Sequence, residues 1–104
     1  MDIKLKRTGL DSLYVNAIGR LDLDNAVEYG SKIKDFIEDS DEVITEVTLD
    51  FLEITFLSSF GLKVILELYK QLLAQNGVLK LKNVSEQLKN SFKMVGFDKF
   101  LVFE

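Results

Sequence analysis

Cysteine, histidine, proline and tryptophan are all absent from this chain. Without cysteine there are no disulfides, no thiolate nucleophile and no iron–sulfur ligation. Without histidine the commonest general base and metal ligand is missing as well. A magnesium or calcium site would have to be built from carboxylates alone, and the acids do not follow calcium-loop spacing. The absence of proline and the single placement of all six glycines leave no linker, so residues 1–104 read as one domain. Every long apolar run is interrupted by charge, which excludes a membrane-spanning helix. Met1–Arg7 alternates apolar and charged residues and lacks the core of a signal peptide, so a cytoplasmic location is expected. Basic surplus is lacking too: 13 Lys and Arg face 17 Asp and Glu, a net charge of −4 that disfavours nucleic-acid binding. These absences point away from an enzyme.

What is present is apolar and patterned. A hydrophobic content of 47% over 104 residues predicts a compact globule with one core. Residues 2–8 alternate as a strand, Thr8–Ser12 supplies a turn, and alternation resumes from Leu13 to Leu21, which predicts a hairpin. A helix then starts at Asp22–Asn25 with Asp24 as N-cap, its inner face carrying Ala26, Val27, Gly30, Ile33, Phe36 and Ile37. The acidic run Glu38–Glu42 ends it as a solvated loop. Glu46–Phe51 predicts a buried strand. A second helix spans Ser59–Gln75 with Leu62, Ile65, Leu66, Tyr69 and Leu73 facing the sheet, and Gly77 takes the left-handed position after it. Val78–Leu81 is another strand. Asn83 or Ser85 caps a third helix with Leu88, Phe92 and Val95 inward and Gly96 as its stop, before a last short strand within Phe97–Phe103. The expectation is an α/β layer fold, a small mixed sheet of four to five strands packed with three to four helices.

Two segments carry candidate chemistry. The first is Ser58-Ser59-Phe60-Gly61-Leu62, where two serines stand at the mouth of the second helix. Unpaired amides and the helix dipole make such a place tolerant of an anion, including a phosphate on a serine. The plainer reading is that Ser58 only caps the helix, a contribution of about 1 kcal/mol. Gly61 in the first turn costs helix propensity, so a close approach to the helix start is expected there. Phe60 and Val64 project away from the predicted core stripe and would form an exposed apolar pair beside the serines. The second segment is Gly19-Arg20-Leu21-Asp22-Leu23-Asp24-Asn25-Ala26, a strand-to-helix junction whose carboxylates can orient a nearby hydroxyl or repel a phosphate on it. Its plainer reading is turn and capping hydrogen bonds alone.

These two segments resemble the two signatures of STAS domains, and the chain is most similar to bacterial anti-sigma factor antagonists. The resemblance extends to Gly77–Val84 and Val95–Lys99, so it covers essentially the whole chain. It implies that the unphosphorylated protein binds an anti-sigma factor, a serine kinase, and so frees a sigma factor for transcription. The kinase then phosphorylates a serine at this helix start, and a serine phosphatase resets it. Aligned on Gly61-Leu62, the phosphoacceptor position falls on Ser59, and Ser58 replaces an acidic residue, which keeps Ser58 as a second candidate. Asp22 matches the aspartate of the family's Gly-x-Leu-Asp motif. Asp22, Asp24, Asn25, Ser58, Phe60, Gly61 and Val64 become the expected partner-binding residues. The resemblance implies no cofactor, no metal and a monomer or weak dimer. One rival is a STAS-type scaffold subunit of a larger signalling or transport assembly. Another is a small hydrolase or transferase with Ser59 as nucleophile, which would need a lysine or carboxylate base. No phosphate-cradling glycine loop supports nucleotide binding.

Overall fold

A computed structural model describes residues 1–104. Its strands are β1 (Asp2–Arg7), β2 (Ser12–Leu21), β3 (Glu46–Asp50), β4 (Ile54–Leu57), β5 (Val78–Lys82) and β6 (Val102–Phe103). The helices are α1 (Leu23–Asp39), α2 (Ser59–Leu73) and α3 (Glu86–Met94), followed by a single 3₁₀ turn at Phe97–Lys99. The sheet runs β1-β2-β3-β5-β6, with β4 paired to the far end of β2. Only β1 is antiparallel, forming the expected hairpin with β2; every other pairing is parallel. The sheet is therefore mixed and has six strands, because β4, absent from the sequence expectation, continues the line of β3 along β2.

Alternation in β2 and β5 sets the two faces. Register partners share a face, which places Leu5, Val15, Leu49, Leu81 and Phe103 in one row. Leu13, Val47 and Leu79 make the next row, and all three are buried. The opposite face carries Lys4, Lys6, Tyr14, Asn16, Glu46, Thr48, Lys80 and Lys82. Parallel strands covered on both faces read as continuous apolar runs. The alternation here marks a sheet with one dry face and one wet one. All the helices bury their apolar residues in the same continuous core as the dry face. Phe92 of α3 lies 6.1 Å from Phe51 and 5.5 Å from Phe103, ring centre to ring centre.

Several local expectations shift. Asp22, not Asp24, caps α1: it is extended, and its carboxylate accepts from the Asn25 amide at 3.1 Å. The strand runs to Leu21 and the helix starts at Leu23, so Asp22 alone stands between them as the cap and Asp24 is left exposed in the first turn. The buried side of α1 is Ala26, Tyr29, Ile33 and Ile37; Val27 is 50% exposed. In α2 the buried stripe is Gly61, Leu62, Ile65, Leu68 and Leu72, while Leu66 and Tyr69 are half-buried and Leu73 is exposed. The left-handed residue after α2 is Asn76, with φ 58°. Gly77 is needed instead for contact, since a Cβ there would sit 2.8 Å from the Thr45 carbonyl oxygen. Ser85 caps α3, and Val95 lies outside the core at its end.

One core group is out of place. Tyr29 is fully buried, and its hydroxyl has no hydrogen-bond partner. Burial pushes its ionisation well above the usual tyrosine range, so the hydroxyl stays neutral. An unsatisfied buried hydroxyl costs about 1–3 kcal/mol. Tyr29→Phe keeps the ring and removes that cost, and urea unfolding is expected to show a gain of about 1 kcal/mol. A loss of that size would mean the hydroxyl is satisfied.

Candidate functional site

The parallel strands β2 and β4 end side by side, Leu21 paired with Leu57. The next residue on each strand is a helix N-cap, Asp22 for α1 and Ser58 for α2. Two helices thus begin together at one edge of the sheet and bring the two candidate segments next to each other. Their unpaired amides and dipoles leave this edge positively polarised, against which Asp22 and Asp24 set negative charge.

Ser58 is bound on every side. Its amide and hydroxyl both donate to the Leu21 carbonyl oxygen, at 3.0 and 2.7 Å. Its hydroxyl oxygen also accepts from the Gly61 amide at 3.0 Å. Ser59, at the first helical position, is exposed and takes no part in this cap. A Cβ on Gly61 would lie 3.0 Å from the Leu21 carbonyl oxygen and 2.9 Å from Leu57 Cδ1. The close approach expected at Gly61 is therefore made by the end of β2, within the protein itself. Asn25, half-buried, donates from its side chain to the Arg20 carbonyl at 2.9 Å, which locks α1 to the strand it follows.

Phe60 and Val64 do not form a freely exposed pair. Both are half-buried and line an open groove of about 570 Å³ between α1 and α2, together with Val27, Gly30 and Leu68. Val64 packs on Gly30, where a Cβ would meet Val64 Cγ1 at 2.6 Å. The side of α2 taken as outward is thus the α1–α2 contact, and the apolar surface beside Ser59 is this groove with Val27 on its rim.

Two arrangements had no expectation from the sequence. The Arg20 guanidinium lies over the Phe56 ring, 4.2 Å from its centre, joining the second halves of β2 and β4 across the surface. Asp50, at the end of β3, is the one buried charged residue and is 7% exposed. It accepts from the Tyr14 hydroxyl at 2.6 Å, Asn16 at 3.2 Å, Asn83 at 3.0 Å and the Leu52 amide at 2.9 Å. Burial pushes its carboxyl upward, but the bonds from Tyr14, Asn83, Leu52 and Asn16 outweigh it and hold the group below the usual carboxylate range. The bond to Asp50, aided by burial, raises Tyr14 to about 12. An acid closing an alternating strand, with neutral donors on β2 and just past β5, was the only signal in the sequence.

A family model described as the STAS domain matches residues 3–104. The fold is similar to that of the anti-sigma factor antagonist SpoIIAA in its unphosphorylated form. That match has a TM-score of 0.84 at 20% identity and covers 99% of this chain and 88% of that one. It is also similar to the Bacillus cell fate determinant SpoIIAA in the phosphorylated form, with a TM-score of 0.77, 20% identity and coverage of 99% and 91%. A sulfate transporter family protein from Wolinella succinogenes matches with a TM-score of 0.76, 18% identity and coverage of 94% and 80%. No helix of the chain is long and apolar enough to cross a membrane.

The bonding around Ser58 and Ser59 separates their structural roles. Ser58→Ala is expected to lower unfolding stability by about 1–2 kcal/mol, because the cap is lost and the Gly61 amide is left without its acceptor. Ser59→Ala should stay within about 0.5 kcal/mol of the parent. Urea denaturation of both variants checks this, and equal losses would contradict the assignment of the cap.

Proposed function

Because the chain belongs to the STAS domain family, we propose that it acts as an anti-sigma factor antagonist switched by phosphorylation of Ser59. In this reading the unphosphorylated protein binds an anti-sigma factor with serine kinase activity and frees a sigma factor. It is a binding module and not an enzyme, and a serine phosphatase restores it. The observation that carries the reading is the division of labour at the α2 start. Ser58 is consumed by the cap, whereas Ser59 is exposed at the first helical position and adjoins Phe60 at the mouth of the α1–α2 groove.

The electrostatics favour a switch at this place. A phosphate adds about −1.5 to −2 charges, partly offset by the helix dipole while the protein is free. A partner closing over the groove would have to desolvate that charge next to Asp22 and Asp24, at a cost of several kcal/mol unless it brings a cation. Each 1.4 kcal/mol is about tenfold in affinity, so the complex would dissolve. Asp22, Asp24 and Asn25 line the neighbouring helix start and complete the proposed partner surface with Ser58, Phe60 and Val64, whereas Gly61 is buried against Leu21 and Leu57 and serves the helix start itself. Asp22 and Ser58 also hold the two helix starts in place through their caps. The likeness to a sulfate transporter family protein keeps a second reading, a scaffold subunit of a transport assembly, which would need no modified serine.

Incubation with the anti-sigma kinase and ATP should place phosphate on Ser59 by mass spectrometry, and Ser59→Ala should abolish it. Phosphate on Ser58, or labelling that survives Ser59→Ala, overturns the assignment. Val27→Glu puts a charge on the groove rim without touching the Gly30–Val64 contact. It should weaken kinase binding by about tenfold or more in calorimetry; unchanged affinity would remove the groove from the partner surface.

A further inference from the structure

The pairing of β2 with the β3–β4 line is not uniform. Partners differ by 34 in residue number from Ser12↔Glu46 to Asn16↔Asp50, by 35 at Gly19↔Ile54, and by 36 at Arg20↔Phe56 and Leu21↔Leu57. The line therefore takes in one extra residue twice, once between Asp50 and Ile54 and once at Thr55. A single extra residue reverses which side of the sheet every later side chain faces, and the second restores it. Only after both insertions does Leu57 stand opposite Leu21, which brings Ser58 to the Leu21 carbonyl and leaves Ser59 outside.

Each insertion has its own clamp. At the second, Gly19 adopts φ 126°, a conformation that side chains rarely take, and its carbonyl accepts from Thr55 Oγ1 at 3.4 Å. At the first, the extra residue lies in the turn after Asp50. The Asp50 carboxylate takes the Leu52 amide at 2.9 Å, while Ile54 donates to the Phe51 carbonyl and Gly19 to the Glu53 carbonyl. Tyr14, Asn16 and Asn83 hold that carboxylate from β2 and from the loop after β5. No cation pairs with it. Its four hydrogen bonds all come from neutral groups, and each one ties a different backbone position to the turn.

We infer that Asp50 is a positioning residue for the Ser58–Ser59 helix start, acting through the turn that it clamps by way of the Leu52 amide. The inference deepens the reading of Ser59 as a modified residue, but it stands on geometry alone. A kinase is not needed to test it, so its failure and the failure of that reading are separately visible.

Amide hydrogen exchange by NMR on Asp50→Ala, which leaves no side-chain oxygen to accept from the Leu52 amide, is the test. The expected result is exchange about tenfold faster at Ser58 and Gly61, as at Leu52, with the β3 and β5 core amides changed far less; tenfold is the scale of one hydrogen bond to a charged acceptor. Tyr14→Phe removes a donor but keeps the Leu52 bond, so it should leave Ser58 and Gly61 at their parental rates. Two results overturn the inference: acceleration at Leu52 with Ser58 and Gly61 unchanged, or one common factor at every amide. Should Asp50→Ala not fold, Asp50→Glu keeps the charge but misplaces it from the Leu52 amide, and it is read by the same pattern.

Discussion

The carbonyl oxygen of Leu21 receives both the amide and the hydroxyl of Ser58 and sits against the one position in α2 where no side chain fits. A strand end and a helix start are thereby joined through a single acceptor. Without that junction, β4 would have only a few ladder bonds to hold it, and α2 would lack its cap. The arrangement explains why serine and glycine both occur here. The serine hydroxyl donates to this carbonyl and still accepts from the third amide of the helix, and glycine lets the helix approach the carbonyl it needs.

The same junction determines the electrostatics of the edge. Two helix N-termini lie next to each other because Leu21 and Leu57 are register partners, and each cap follows its strand without an intervening loop. Asp22 supplies negative charge to one terminus as part of its cap, whereas the other is capped by a neutral residue. The edge is thus asymmetric in charge, with its less compensated end at α2. A group that gained negative charge there would find one favourable dipole and two nearby carboxylates, a balance sensitive to whatever covers it.

Much of the layer structure was legible in the sequence, since alternation in β2 and β5 names the dry face directly. The cap at Ser58 and the need for a small residue at Gly61 were legible as well. The phase of α2 was not. Apolar residues surround most of that helix, from Phe60 to Leu73, so spacing alone cannot choose between stripes. The choice is made by the contacts of Gly61 with Leu21 and of Val64 with Gly30, which are remote in sequence. β4 escaped notice because four residues in a strand interrupted by extra residues leave no clean period. Asp50 looked like an ordinary strand end, since its donors come from β2 and from beyond β5. The N-cap of α1 was misplaced by two residues because three polar residues follow Leu21 within four positions, and only the strand's true end distinguishes them.

The wet face of the sheet has a consequence of its own. Lysines from β1 and β5, with Thr48 and the Glu46–Lys80 pair between them, leave that side permanently hydrated. Another sheet could be laid on it only by stripping water from several charges at once, and β1 guards its edge with Asp2, Lys4 and Lys6. The molecule is therefore one-sided as a building block. Whatever engages the helical side meets a back whose charges resist the stacking of a second sheet.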